Sequence, residues 1–157
     1  ANEKHRLTNY NYKKVVRALK WWNKNYVDID GIKSYPLEHL IGQCCPNNCD
    51  YNLERAVFET LNAMASYSSR KPYMPDRGVP EHDVFARIEE DDYQKFIKIV
   101  REKADKAKQA YYENDKMRSS LLWREIFGPE FPVYETPSPK FSERKEPSNI
   151  NTEGRFA

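Results

Sequence analysis

The sequence predicts an all-α domain, a bundle of about five helices, and three observations carry that expectation. Apolar residues recur at helical spacing, Gly and Pro fall between the periodic stretches rather than inside them, and strand-like alternation is nearly absent. With 157 residues, 39% of them hydrophobic, the chain has apolar mass for one core and hardly for two. Seven Phe, eleven Tyr and three Trp, many of them in periodic stretches, exclude a wholly disordered chain.

The first helix is expected at about Asn11 to Tyr26, with Val15, Leu19, Trp22 and Tyr26 on one stripe and Lys13, Arg17, Lys20 and Lys24 along another. A loop from Val27 to Lys33 leads to Ser34, read as an N-cap with Pro36 just inside, and to a short helix burying Leu37, Leu40, Ile41 and Cys44. After a Cys45 to Asp50 turn, a third helix from Leu53 to Ser66 turns Leu53, Val57, Leu61 and Met64 or Ala65 inward. Pro72, Pro75, Gly78 and Pro80 make Ser68 to Pro80 an ordered surface loop with room for short extended pieces. The longest helix begins in the acidic stretch Glu89 to Asp92, whose carboxylates suit a helix N-terminus. It runs to about Asn114 through Phe96, Val100, Ala104, Ala107 and Tyr111. A last helix, Lys116 to Phe127, presents Leu121, Leu122, Trp123, Ile126 and Phe127 and is closed by Gly128 and Pro129. The folded lobe is thus expected over 1–134 and a flexible C-terminal tail, rich in Pro, Ser, Lys, Glu and Asn, over 135–157.

A net charge of +2 conceals a gradient: residues 1–33 carry eight basic against three acidic side chains, and the remainder is net acidic. A basic first helix suits a polyanion, although such runs are more often a solvated helix face. No apolar run approaches the roughly 18 residues of a membrane span, and the first ten residues lack the apolar stretch of a signal peptide. A cytoplasmic protein without membrane contact is expected if Ala1 is a true start. Cys44, Cys45 and Cys49 form a poor disulfide framework and are expected as thiols. With His39 they offer four soft ligands, but the adjacent pair does not match the spacing of structural zinc sites. The other reading buries Cys44 and Cys45 at a helix end.

Phosphate loops, dinucleotide fingerprints, zinc-protease and nucleophile-elbow motifs are all missing. Asp28 and Asp30 form an Asp-x-Asp pair of the kind that holds Mg2+ in phosphoryl transfer, but in a loop without a supporting strand. Lys20, Ser34 and Tyr35 are a stronger group. If the first two helices pack antiparallel, an ammonium, a hydroxyl at a helix N-terminus and an aromatic face come together, which are the groups that handle a nucleotide. Taken alone, a solvated lysine, a capping serine and a core tyrosine account for the same residues.

The basic-apolar helix Val15 to Trp22, the start Ser34-Tyr35-x-Leu37-Glu38, the Met74-Pro75-Asp76 loop and the closing run Leu122-Trp123-Arg124-Glu125-Ile126-Phe127-Gly128-Pro129-Glu130-Phe131-Pro132 form a longer pattern. Over about Asn9 to Pro132 it resembles the C-terminal helical lobe of the nucleotidyltransferases that include oligoadenylate synthetase, cyclic GMP-AMP synthase and the bacterial cGAS/DncV-like enzymes (CD-NTases). The resemblance implies that Lys20 contacts the triphosphate, Ser34 adds a phosphate contact and Tyr35 stacks on the base. It assigns no role to the loop at Asp76, where many relatives read Asp-Pro and this chain reads Asp76-Arg77. It further implies a separate N-terminal catalytic lobe whose carboxylates bind Mg2+, so the chain alone is expected to be inactive and to be part of a longer polypeptide. The whole would join nucleoside triphosphates (ATP, GTP or others) into a cyclic di- or trinucleotide second messenger for CBASS-type antiphage defence. In some such systems an E1/E2-like partner conjugates the synthase through its C-terminal carboxylate, which here would be Ala157. The competing expectation is a free-standing helical module that binds nucleic acid or a protein, against which the acidic later helices argue.

Overall fold

A computed structural model describes residues 3–4, 11–29, 32–47 and 52–133. Five helices build it: α1 Tyr12–Trp22, α2 Ser34–Cys44, α3 Leu53–Ala65, α4 Glu90–Tyr112 and α5 Lys116–Phe127. The all-α expectation holds. Among the described residues the one β feature is an isolated antiparallel bridge between Pro75 and Asp83. The expected tail with Ala157, and also Asp30 and Cys49, lie outside the described residues.

α1 buries Val15, Leu19 and Trp22 on the expected stripe, but Tyr26 does not join them. After Trp22 the backbone widens into a π-helical turn, Asn23–Val27, in which the Asp28 N–H donates to the Asn23 carbonyl at 2.9 Å. The longer turn brings Val27 into the core and leaves Tyr26 at the surface, where an α-helix would have stacked it above Trp22. The turn stops at Asp28, whose φ of 49° lies in the left-handed region that Asp tolerates better than most residues.

α2 begins one residue earlier than its sequence suggests. Lys33, with extended backbone, is the N-cap and makes no side-chain capping bond, so Ser34 is the first helical residue and not the cap. Pro36 still fits, because its missing N–H belongs to the turn that has no helical acceptor. Leu37, Leu40, Ile41 and Cys44 are buried as expected, and Cys45 is buried with them.

α4 is the central element and packs most extensively on α3 and α5. Its buried face runs Tyr93, Phe96, Ile97, Val100, Ala104, Ala107 and Ala110, large residues giving way to alanines toward the C-terminal end. Arg101 on this helix gathers the end of α3 by donating to the carbonyls of Ala65 (3.2 Å) and Tyr67 (2.6 Å) and to the Ser69 hydroxyl (3.0 Å). Those bonds satisfy acceptors that a helix terminus leaves unpaired. α3 is capped by Asn52, whose side chain accepts from the Arg55 N–H at 2.6 Å, and α5 by Asp115, which accepts from Met117 and Arg118 at 2.9 and 3.1 Å.

Besides Tyr26, two further expected positions, Leu53 and Leu121, are exposed. Leu53 is the first residue of α3, ahead of the turn that meets the core. Leu121 lies across α5 from the buried Trp123 and Ile126. Where the sequence left Met64 and Ala65 open, Met64 takes the inner position.

Candidate functional site

The π-helical turn matters for what it shapes. Between the end of α1 and the start of α2 lies a cleft of about 330 Å3 lined by Lys20, Asn23, Lys24, Asp28, Ile29, Ile32, Lys33, Ser34 and Leu37. Three of those side chains are ammonium groups, and the first N–H groups of α2, which have no side-chain cap, lie beside them. Such a lining favours an anion. Lys20 Nζ sits 3.8 Å from Glu38 Oε1, a loose and solvent-exposed pairing that a competing anion can displace at small cost. Asn23 is buried; its Nδ2 donates to the Ile32 carbonyl at 3.2 Å, tying the π-helical turn to the segment before α2, while its buried Oδ1 has no partner among the described residues. Asn23 was not singled out from sequence, because an asparagine inside a helical run carries no signal of burial.

Lys20 and Ser34 therefore line one cleft, the juxtaposition expected if the first two helices pack antiparallel. Tyr35 is next to it on the first turn of α2 and is not among the lining residues. It is not the core tyrosine that one reading allowed, since 55% of it is exposed. Its hydroxyl donates to Asp76 Oδ2 at 2.6 Å, and its ring lies 4.8 Å from that of His39, tilted by 55°. The hydrogen bond raises the tyrosine's pKa; with the N–H groups of Gly78 and Val79 it holds the Asp76 carboxyl below the ordinary range. The loop left without a role in the sequence thus reaches the site. Its contact spans 41 positions, which no local pattern reveals.

His39 Nε2 accepts the Arg77 N–H at 3.3 Å, Cys44 and Cys45 are buried, and burial pushes the Cys44 thiol up to about 12. The buried-helix-end reading of these cysteines is the one observed. Among the described residues no three His, Cys, Asp or Glu side chains come together as a metal site. Among the described residues that line the cleft, Asp28 is the one carboxylate and stands among lysines, a set that does not suit Mg2+.

A second concavity, of about 540 Å3, lies over Ala18, Trp21, Leu53, Val57, Trp123, Phe127 and Phe131 and is apolar except for Glu54 and Glu130 at its edge. Its floor is set by Trp123, whose Nε1 donates to Glu54 Oε2 at 2.7 Å, and by Phe127 stacked on Phe131. No helix among the described residues is long and apolar enough to cross a membrane.

Comparison with known proteins gives these features a family. No family model matches the chain. It is 34% identical to the cyclic AMP-AMP-GMP synthase of Enterobacter hormaechei subsp. hoffmannii over 99% of its own length and 44% of that protein's. A probable cyclic AMP-AMP-GMP nucleotide synthase of Salmonella paratyphi B is likewise 34% identical, with the same coverage, and the cyclic AMP-AMP-AMP synthase of an Acinetobacter strain is 30% identical over 83% of this chain and 40% of that protein. The chain belongs with the bacterial cGAS/DncV-like nucleotidyltransferases, as its motifs anticipated. It spans less than half the length of the curated relatives it matches.

Proposed function

We propose that this chain is the helical, nucleotide-holding lobe of a cyclic oligonucleotide synthase, with the lobe over 1–134 and a tail over 135–157. The observation that supports it is the convergence of Lys20, Lys24, Lys33 and Ser34 on one cleft at the uncapped N-terminus of α2, beside the exposed ring of Tyr35. Lys20 supplies a mobile point charge to the triphosphate, Ser34 a hydroxyl donor, and Tyr35 a face on which different bases stack. The substrates are nucleoside triphosphates and the product a cyclic di- or trinucleotide, made in the cytoplasm for antiphage defence. The acid groups that hold Mg2+ belong to the catalytic lobe of the complete protein; among the described residues the lysine-lined cleft contributes Asp28. Ala157 is the candidate point of attachment for an E1/E2-like partner; deletion of Gly154 to Ala157 should then abolish the covalent adduct.

Product formation by the complete protein tests the site. Tyr35→Ala removes a stack of about 1–3 kcal/mol, equivalent to roughly a five- to 150-fold loss in nucleotide affinity. Lys20→Ala should weaken nucleotide binding as well, and more at low than at high salt. Undiminished nucleotide affinity and product formation in both variants would refute the assignment.

A further inference from the structure

Tyr35 is exposed and yet held from two sides. Besides its 2.6 Å hydrogen bond to Asp76 Oδ2, its ring leans on His39 one turn along α2. Neither neighbour is free to follow a moving ring. Asp76 Oδ1 accepts from the N–H groups of Gly78 (2.7 Å) and Val79 (3.3 Å), and the Asp76 N–H donates to the His82 carbonyl at 2.8 Å. The His39 ring is fixed by the Arg77 N–H at Nε2. Behind them the loop is pinned by the Met74 and Phe85 N–H groups on Asp83 Oδ1 (2.8 and 3.0 Å), by the Val84 N–H on the Met74 carbonyl (2.8 Å), and by the buried Met74 side chain. A ring that is more than half exposed contributes little to the core, so so many ties on it are not accounted for by packing.

A loose surface tyrosine samples several rotamers, and a ligand that stacks on it must freeze them. We infer that Asp76 is a positioning residue that presets the Tyr35 ring as a rigid shelf for the base of a nucleoside triphosphate. This deepens, and rests on, the stacking role given to Tyr35 above. Asp76 does not touch the nucleotide; it acts through the tyrosine hydroxyl, and through the turn at Gly78 and Val79 that keeps its own carboxylate in place.

The test is steady-state kinetics on the complete protein with five variants. Tyr35→Phe keeps the stacking face and loses the tether, so KM for the nucleotide should rise about three- to tenfold, the cost of ordering one side chain, with kcat little changed. Asp76→Ala should do the same, and the double variant should be no worse than either single one, because both remove one interaction. Asp76→Asn keeps one oxygen for the Gly78 and Val79 N–H groups and turns an amide NH2, which can donate to the phenol oxygen, toward Tyr35, so it should recover part of the affinity. A wild-type KM in Tyr35→Phe, or additive effects in the double variant, overturns the inference. If Tyr35→Ala raises KM while Tyr35→Phe and Asp76→Ala do not, stacking stands and positioning falls; if Tyr35→Ala leaves KM unchanged, both fall. Should Asp76→Ala lose its fold by circular dichroism, Tyr35→Phe and Asp76→Asn, which keep the turn's acceptor, decide the matter.

Discussion

Gly128 closes α5 at φ 91° and ψ 175°, a backbone conformation essentially reserved for glycine. A Cβ built there would stand 1.8 Å from Tyr26 Oη and 2.3 Å from Cζ, so Gly128→Ala meets two separate obstacles. The backbone must remain strained, at about 1–3 kcal/mol, or give up the bonds that fix this corner. Those are the Gly128 N–H to the Arg124 carbonyl at 2.7 Å and the Phe131 N–H to the Gly128 carbonyl at 3.0 Å. The Tyr26 ring must also swing away from its 5.5 Å contact with Trp21, an overpacking cost of about 1–3 kcal/mol that partial exposure of the ring brings toward the lower end. Together these predict a loss of about 2–5 kcal/mol in urea unfolding followed by far-ultraviolet circular dichroism. The two parts separate in a cycle: Tyr26→Ala should relieve the overlap in the Gly128→Ala background and leave the backbone share untouched. A loss below about 0.5 kcal/mol for Gly128→Ala, the range of neutral surface changes, would refute the reasoning. So would an undiminished loss after Tyr26→Ala, as far as the overlap is concerned.

Other outcomes follow from buried groups. Because burial raises the Cys44 thiol to about 12, it should resist iodoacetamide at pH 8 in the native protein and react in urea, as peptide mapping would show; stoichiometric native labelling would contradict its burial. The sign for stability is fixed by the same shift: the neutral thiol's contribution is complete below the ordinary thiol range and is lost as pH climbs through it toward about 12. Tyr93, also raised to about 12 by burial, adds to the decline from the ordinary tyrosine range upward, so the unfolding free energy should fall in alkali. Trp123→Phe deletes the indole donor to Glu54 and part of a buried ring, and a loss of about 1–3 kcal/mol in the urea experiment is expected, whereas an unchanged midpoint would mean that the hydrogen bond contributes nothing.

The helices were legible because their signals are local. Gly128-Pro129 ends α5 where the sequence closes it, and the acidic stretch beginning at Glu89 marks the start of α4. The π-helical turn was not legible, since the apolar spacing that leads from Trp22 to Tyr26 is the same whether the turn is α or π. That single extra residue per turn decides which side chain enters the core and which faces solvent. In the candidate site, Lys20 and Ser34 were readable as a pair because two adjacent helices bring them together. The Asp76 contact to Tyr35 depends on how a 24-residue stretch between α3 and α4 folds back, and the turn residues there, Pro75, Gly78 and Pro80, mark a loop without saying what it touches.

Gly42 sits inside α2, where glycine weakens a helix by roughly 1 kcal/mol relative to alanine. A Cβ at this position would stand 2.0 Å from an Arg77 guanidinium nitrogen and 3.2 Å from the Tyr12 hydroxyl, to which that guanidinium is hydrogen-bonded. The helix therefore accepts a weaker last turn in exchange for a berth in which the arginine docks between α1 and α2. Local order in α2 and attachment of the loop become one thermodynamic unit. When the arginine leaves, the glycine turn loses its cover, and amide hydrogen exchange in the second half of α2 should report the loop's departure before any global unfolding.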